Sequence, residues 1–283
     1  MSGRARVKTA AQPPDASEAG FFRFIGEFHA LIRKHIPGPF NYEYDSLVYM
    51  LPVRRHLRRV VEETRPGGRV LDIGCGRGHY SAYLRSQGLD CLGIEVRHPR
   101  AGDDFLHNQD PTVIRRYQAL WKEARGRWGA TCRYFDGKGL DFKPATFDAL
   151  LFYATYEHVP VEHIAAMTAD AYRVLKPGGR AYIFRCPSSL AWKEHLTRRL
   201  GLGAHEKLYG KGEILGLLKG AGFEIESFGR SDFFPAHINP AQRQLNAVAR
   251  PLLALEKLVM LTPLRLFAHH FEIVARKPAG APR

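Results

Sequence analysis

The sequence predicts an α/β protein whose mostly parallel sheet is covered by helices on both faces. Short apolar runs alternate with helical segments from Arg69 onward, which is the pattern of repeated βαβ units. Seven such runs can be counted, and they are apolar enough to be buried on both sides. A glycine-rich turn at 74–78 directly follows the first run, at the point where α/β proteins bind ligands.

Two helical segments precede the sheet. Phe21, Phe24 and Phe28 recur at helical spacing, and a basic helix is predicted over 53–64. Between them, residues 37–49 contain Pro, Gly and four aromatic residues, which indicates a loop that can cover a site. We therefore expect a disordered tail over 1–20 and a helical extension or lid over 21–64.

The main domain is predicted over 65–277, with a short tail over 278–283. Its strands are expected at 69–73, 90–96, 131–135, 147–152, 180–185, 223–228 and 271–275. The connection at 97–130 is long enough to be an insertion, in which Asp110 can cap a helix that begins at Pro111. It could be a structural buttress or part of a binding pocket.

Charge and cysteine content limit the partners. Lys and Arg number 42 against 28 Asp and Glu, a formal net charge of +14, so nucleic acid, acidic lipid headgroups and phosphorylated small molecules all remain open. The cysteines lack C-x-x-C spacing, so neither a zinc site nor a disulfide framework is predicted, and no metal is expected. This favours a reducing, cytoplasmic compartment.

Membrane contact is predicted to be peripheral at most. Residues 1–20 lack the apolar core of a secretory signal, and no apolar run is long enough to span a bilayer. Near the C-terminus, apolar residues at helical spacing predict an amphipathic helix that could pack on the sheet, act as a lid or lie on an anionic membrane. The helix carries Leu245, Val248, Leu252, Leu255 and Val259, with Arg243, Arg250, Lys257 and Arg265 as its basic residues.

The turn after the first strand has the pattern D-x-G-x-G-x-G. A nicotinamide-binding G-x-G-x-x-G would need glycine at 79, where His79 stands, and Asp72 precedes the glycines instead. The acidic Glu95 follows at the end of the second strand, where it is placed for two hydrogen bonds to a ribose diol. In these features the sequence resembles the class I S-adenosylmethionine (SAM)-dependent methyltransferases, in register through roughly 60–277.

Further motifs extend the resemblance in the family's order. They are F-D followed by an apolar strand at 147–152, E-H-V at 157–159, a K-P-G-G turn at 176–179 and A-G-F at 221–223. The resemblance implies a Rossmann-like sheet with an antiparallel C-terminal strand and SAM as the cofactor. The cofactor-binding residues it implies are Asp72, Gly74, Cys75, Gly76, Gly78, Glu95, Asp136, Gly137 and Tyr153.

Methyl transfer needs an aligned acceptor and, for a hydroxyl acceptor, a base. His158 is the candidate base, or else a histidine that packs or caps at a helix start. Glu157 would either orient that imidazole or cap the next helix. Tyr42, Tyr44 and His205 are the candidate contacts to the acceptor, whereas Arg185 at the end of the fifth strand is as compatible with a surface loop.

Three functions remain open at this point. The first is methylation of oxygen on a small-molecule, saccharide or lipid-linked acceptor. The second is an RNA or protein methyltransferase, since Arg54, Arg55, Arg58 and Arg59 on one helix could contact phosphates or simply face solvent. The third is a non-catalytic subunit that binds the cofactor.

Overall fold

A computed structural model describes residues 16–37, 42–96, 111–137, 139–201, 205, 207–237 and 241–280, with only the backbone of Tyr42 and Glu43. Its seven-stranded sheet has the order β3-β2-β1-β4-β5-β7-β6. The strands are β1 Arg69–Ile73, β2 Asp90–Val96, β3 Thr131–Phe135, β4 Phe147–Tyr153, β5 Leu175–Pro187, β6 Glu224–Ser231 and β7 His270–Arg276. Strand β7 is antiparallel to β5 and β6, and the other pairs are parallel, so the predicted sheet is confirmed.

Helices cover both faces of the sheet. They are α1 Glu18–His35, α2 Leu47–Glu63, α3 His79–Ser86, α4 Pro111–Trp128, α5 Val161–Val174, α6 Trp192–Arg199, α7 Lys211–Gly220, α8 Gln242–Ala247 and α9 Ala249–Val259. Alternate residues of β4 show the two cores. Leu151 packs into the cluster formed with α1 to α4, whereas Leu150 and Phe152 pack into the cluster formed with α5 and α7.

The N-terminal helices begin earlier than predicted. Helix α1 starts at Glu18, inside the segment predicted as a tail, and the Oγ of Ser17 accepts a hydrogen bond from the Gly20 N–H at 3.1 Å. Residues 1–15 lie outside the described part. Helix α2 starts at Leu47 and continues through Pro52, although proline usually begins or interrupts a helix.

The connection at 97–130 contains the crossover that joins two parallel strands. Such strands cannot be linked by a tight turn, and α4 supplies the helix between β2 and β3. Its Tyr117, Leu120 and Trp121 are buried in the same cluster as α1 and α3. This part of the segment is therefore a buttress, while Asp110 and the rest of 97–110 lie outside the described residues.

The predicted C-terminal amphipathic helix is broken at Val248 into α8 and α9. Pro251 explains the break, because it lacks an N–H and its ring clashes with the carbonyl group four residues earlier. Leu245 is buried, but Leu255 is 48% exposed, so the apolar face is only partly packed. None of the described helices combines the length and apolar character needed to cross a bilayer.

The basic face of α2 is partly neutralised by its own helix. The guanidinium of Arg58 lies 2.6 Å from Glu62, and that of Arg59 lies 2.8 Å from Glu63. Both pairs have the i,i+4 spacing at which opposite charges meet on a helix surface. This arrangement favours a solvated face over a phosphate-binding one.

Candidate active site

Two adjoining cavities lie at the edge of the sheet where the parallel strands end. The first encloses about 390 Å³ next to Gly76, Glu95 and Asp136. The second encloses about 650 Å³ and is lined by α6 and by the chain around β6 and β7. The residues shared by both linings are Gly74, Gly76, Ala154 and His158.

The glycine turn leaves open space above its middle residue. Gly76 has φ +51°, and a Cβ placed there would meet no atom within 4 Å. Gly74 is different, because its Cβ would lie 2.7 Å from the Cγ2 atom of Thr155. Gly74 thus permits close packing of two strand ends, whereas Gly76 leaves room for a ligand against the backbone.

Glu95 lies at the end of β2 and is 7% exposed. Its carboxylate accepts hydrogen bonds from the N–H groups of Gly76 at 2.6 Å and Val96 at 2.9 Å. Burial raises its pKa to about 7. Together with Asp136 and Gly137 it lines the first cavity, so these residues come together with Gly76.

Not every residue implied by the resemblance lies against the first cavity. Asp72 is outside both linings, and its carboxylate accepts a 2.6 Å hydrogen bond from Ser81, which ties β1 to α3. Gly78 is also outside both linings, because its Cα packs beside Cys132 and Trp121. Cys75 and Tyr153 line the second cavity instead of the first.

Glu157 and His158 lie in a short 3₁₀ helix, Tyr156–His158, directly after β4. His158 is half-buried where the two cavities meet. Glu157 is 1% exposed, and neither of its carboxylate oxygens has a hydrogen-bond partner among the described residues. Among the described residues no hydrogen bond joins the Glu157 carboxylate to His158 or to the start of α5, and both of its predicted roles stay predictions.

Similarity to known proteins agrees with this arrangement. Residues 49–227, more than half of the chain, match the sequence family described as "Methyltransferase domain". The chain is a class I SAM-dependent methyltransferase. SAM is accordingly its cofactor, and the open glycine turn with the buried Glu95 beside it fits an adenosyl ligand that carries a ribose diol.

The sequence identity between this methyltransferase and its curated relatives is low. It is 26% identical to a ubiquinone biosynthesis O-methyltransferase of Methylococcus capsulatus, over 50% of this chain and 55% of that protein. It is 27% identical to the protein of the same name from Paraburkholderia phymatum, over 64% of this chain and 75% of that one. The chain thus spans little more than half the length of the first relative.

Solved structures show the same fold. A SAM-dependent methyltransferase from Archaeoglobus fulgidus aligns with TM-score 0.52 at 18% identity, covering 84% of this chain and 98% of that one. Another from Methanosarcina mazei aligns with TM-score 0.50 at 18% identity, covering 78% and 97%. At such identities the comparison supports the architecture alone.

The second cavity of the methyltransferase has strained backbone at its wall. Arg185 has φ +59°, next to an irregularity in the pairing of β5 with β7. Its guanidinium is buried, 3.3 Å from the Asp232 carboxylate and 4.2 Å from the ring centre of Tyr49. The surface-loop interpretation of Arg185 is therefore wrong. The guanidinium of Arg185 therefore lines the second cavity, next to a strained backbone.

Three histidines and two carboxylates form a cluster on the same cavity. One oxygen of Glu194 lies 2.6 Å from Nδ1 of His205 and 2.6 Å from Nε2 of His269. Asp232 lies 2.6 Å from Nδ1 of His270. Burial lowers the pKa of His269 to about 4. Burial opposes ionisation of Glu194, but its hydrogen bonds to the histidines keep its pKa well below the ordinary value.

Of the predicted acceptor contacts, Tyr44 and His205 line the second cavity, and the side chain of Tyr42 lies outside the described part. Sequence reasoning missed other residues of this lining, namely Tyr49, Lys193, Glu194, His269 and His270. An available signal was the His269–His270 pair at the start of the last strand. Because β7 runs antiparallel, its first residue lies at the edge where the parallel strands end.

Proposed function

We propose that this methyltransferase transfers the methyl group of SAM to a hydroxyl oxygen of a small acceptor that reaches it from a membrane. The observation that carries the proposal is the Glu157–His158 pair, which places a buried carboxylate on the second cavity and an imidazole where the two cavities meet. The printed names of the curated relatives, ubiquinone biosynthesis O-methyltransferases, support oxygen as the acceptor atom.

SAM supplies an electrophilic methyl group when bound. An acceptor oxygen would form a bond to that carbon as the carbon–sulfur bond broke, and the electron pair of the broken bond would stay on sulfur. The hydroxyl proton then needs a base, and we assign it to His158, which borders both cavities. Exclusion of water and alignment of the acceptor account for the rest of the rate enhancement.

Glu157 is assigned to holding the acceptor. An ionisable carboxyl group buried without a hydrogen-bond partner is costly, and such groups are concentrated at functional sites. An acceptor hydroxyl would give it the missing donor. The tyrosines in the same lining, such as Tyr44, Tyr80 and Tyr153, favour an aromatic acceptor.

Exposed apolar side chains on α9 and just after it support access from a membrane. Leu258 is 61% exposed on α9, and Leu261 is 80% exposed just after it. The exposed apolar side chains continue through the next segment as Leu264, Leu266 and Phe267. The exposed cations Lys257 and Arg265 lie among them and would attract acidic headgroups.

Helix α6 contributes an exposed leucine at the second cavity. Leu196 lines that cavity yet is 45% exposed. Helices α6 and α9 pack on the same segment, because the Trp192 indole donates to the Phe233 carbonyl and Glu256 accepts from the Asp232 N–H. An acceptor with an apolar tail could therefore leave the bilayer and enter the cavity along one surface.

The base is tested with His158→Ala and an alkyl-substituted catechol as the acceptor. We expect a turnover about 10²–10⁴-fold lower, partly restored at high pH, because an ionised hydroxyl needs no base. Binding of S-adenosylhomocysteine should be unchanged. His195→Ala on α6 is the control, since His195 lies outside both linings. Full turnover of the His158 variant would remove His158 as the base.

The membrane surface is tested with the double variant L258E/L261E. The wild type should sediment with phosphatidylglycerol vesicles and much less with phosphatidylcholine vesicles, and the variant should remain in the supernatant. Val161→Glu is the control, because Val161 is 63% exposed on α5, which packs on the other face of the sheet. Equal sedimentation of both variants would contradict membrane access.

A further inference from the structure

His205, His269 and His270 form a three-histidine cluster in which one ring nitrogen of each residue lies within 4.8 Å of the others. The three rings are in mutual contact, and those of His269 and His270 stack with centres 3.9 Å apart. All three line the second cavity. We propose that this cluster binds a divalent metal ion of the zinc class, with an open position toward the acceptor.

Carboxylates hold all three histidines of the cluster. Glu194 holds Nδ1 of His205 and Nε2 of His269, and Asp232 holds Nδ1 of His270. In a neutral imidazole, the nitrogen that donates to a carboxylate leaves its lone pair on the opposite nitrogen. Each imidazole of the cluster is thus backed by a carboxylate, which is the usual arrangement around metal-binding histidines.

The dimensions fit a small divalent ion. Zinc–nitrogen bonds of about 2.0–2.1 Å place two ligand nitrogens at most about 4 Å apart. The observed limit of 4.8 Å closes to that value with a side-chain movement of about 1 Å. Three imidazoles without a thiolate give a site that keeps a position for water or substrate, as in catalytic zinc centres.

The position suits the reaction. Glu157, with its carboxylate oxygens lacking hydrogen-bond partners among the described residues, lines the same cavity. A metal-bound acceptor oxygen would lose its proton more easily, and that proton would pass to the nearby base. This use of the metal rests on the proposed function, whereas binding of the metal ion does not.

Metal binding is measured on the full chain without a histidine tag, stripped with a chelator, and without SAM or acceptor. We expect one Zn²⁺ per chain by calorimetry, and Co²⁺ should give the intense visible absorption of a four- or five-coordinate ion. His269→Ala and His205→Ala should each abolish that absorption. Glu194→Gln should weaken Zn²⁺ binding about 10–100-fold, the effect typical of a lost supporting carboxylate.

His195→Ala is the matched control, because His195 neighbours Glu194 on α6 but is outside the cluster. It should bind Zn²⁺ like the wild type. Thermal unfolding and S-adenosylhomocysteine binding show whether each variant is folded. If one of the two histidine variants is unfolded, the Zn²⁺ binding of the other one tests the proposal. The proposal is overturned if folded His269→Ala or His205→Ala binds Zn²⁺ as the wild type does. It would also fail if the wild type binds none. Neither result would affect the assignment of His158.

Discussion

Replacement of Glu157 by glutamine should stabilise the protein at alkaline pH while impairing methyl transfer. Burial raises the pKa of this carboxyl from 4.5 to about 7. The folded state therefore holds the proton more tightly than the unfolded state. The stabilisation this gives is complete below about pH 4.5 and is lost as the pH rises through 7. At about 1.4 kcal/mol per pH unit, the ionised group costs about 3 kcal/mol above that range.

The assay is denaturant unfolding of the wild type and Glu157→Gln at about pH 4 and about pH 8.5. The variant has no proton to lose at position 157. Its free energy of unfolding should thus exceed that of the wild type by about 3 kcal/mol at the higher pH and match it at the lower. Other buried acids with raised pKa values, such as Asp72 and Glu272, titrate in both proteins and cancel in the comparison.

Glu162→Gln is the control for this comparison, because Glu162 is exposed in the first turn of α5. It should follow the wild type at both pH values. A difference between Glu157→Gln and the wild type that is equal at the two pH values would refute the reasoning. In that case the carboxyl of Glu157 would not be held in a costly buried environment.

Two further predictions concern the cofactor. Gly76→Val should fold but fail to bind S-adenosylhomocysteine, because the valine side chain would fill open space in the cavities. Gly88→Val is the control: it carries a similar backbone cost at φ +88° but lies outside both linings, so it should bind normally. Calorimetry on both checks this, and binding by Gly76→Val would mean that the cofactor lies elsewhere. Glu95→Ala should weaken the binding of S-adenosylhomocysteine by about 1–3 kcal/mol, the scale of a lost charge-assisted hydrogen bond. An unchanged dissociation constant would show that Glu95 does not contact the cofactor.

Local pattern was enough to predict the strands and the glycine turn. Apolar runs of strand length separated by helical segments specify a parallel sheet, and each strand end then falls at one edge. Gly76, Glu95, Asp136 and His158 lie at or shortly after the ends of the first four strands, so their order along the chain predicted that they would meet around the first cavity. Each needs only its own strand to be placed correctly.

The sequence by itself determined the sheet, the glycine turn and the residues that directly follow the parallel strands. Only the tertiary structure decided the second cavity, which combines α6, the segment after β6 and the start of β7. The antiparallel insertion of β7 between β5 and β6 brings His270 to the binding edge, and a strained backbone turns Arg185 inward. Asp72 likewise faces Ser81 because of how α3 packs on β1. These positions depend on contacts between distant segments, and local periodicity carries no information about such contacts.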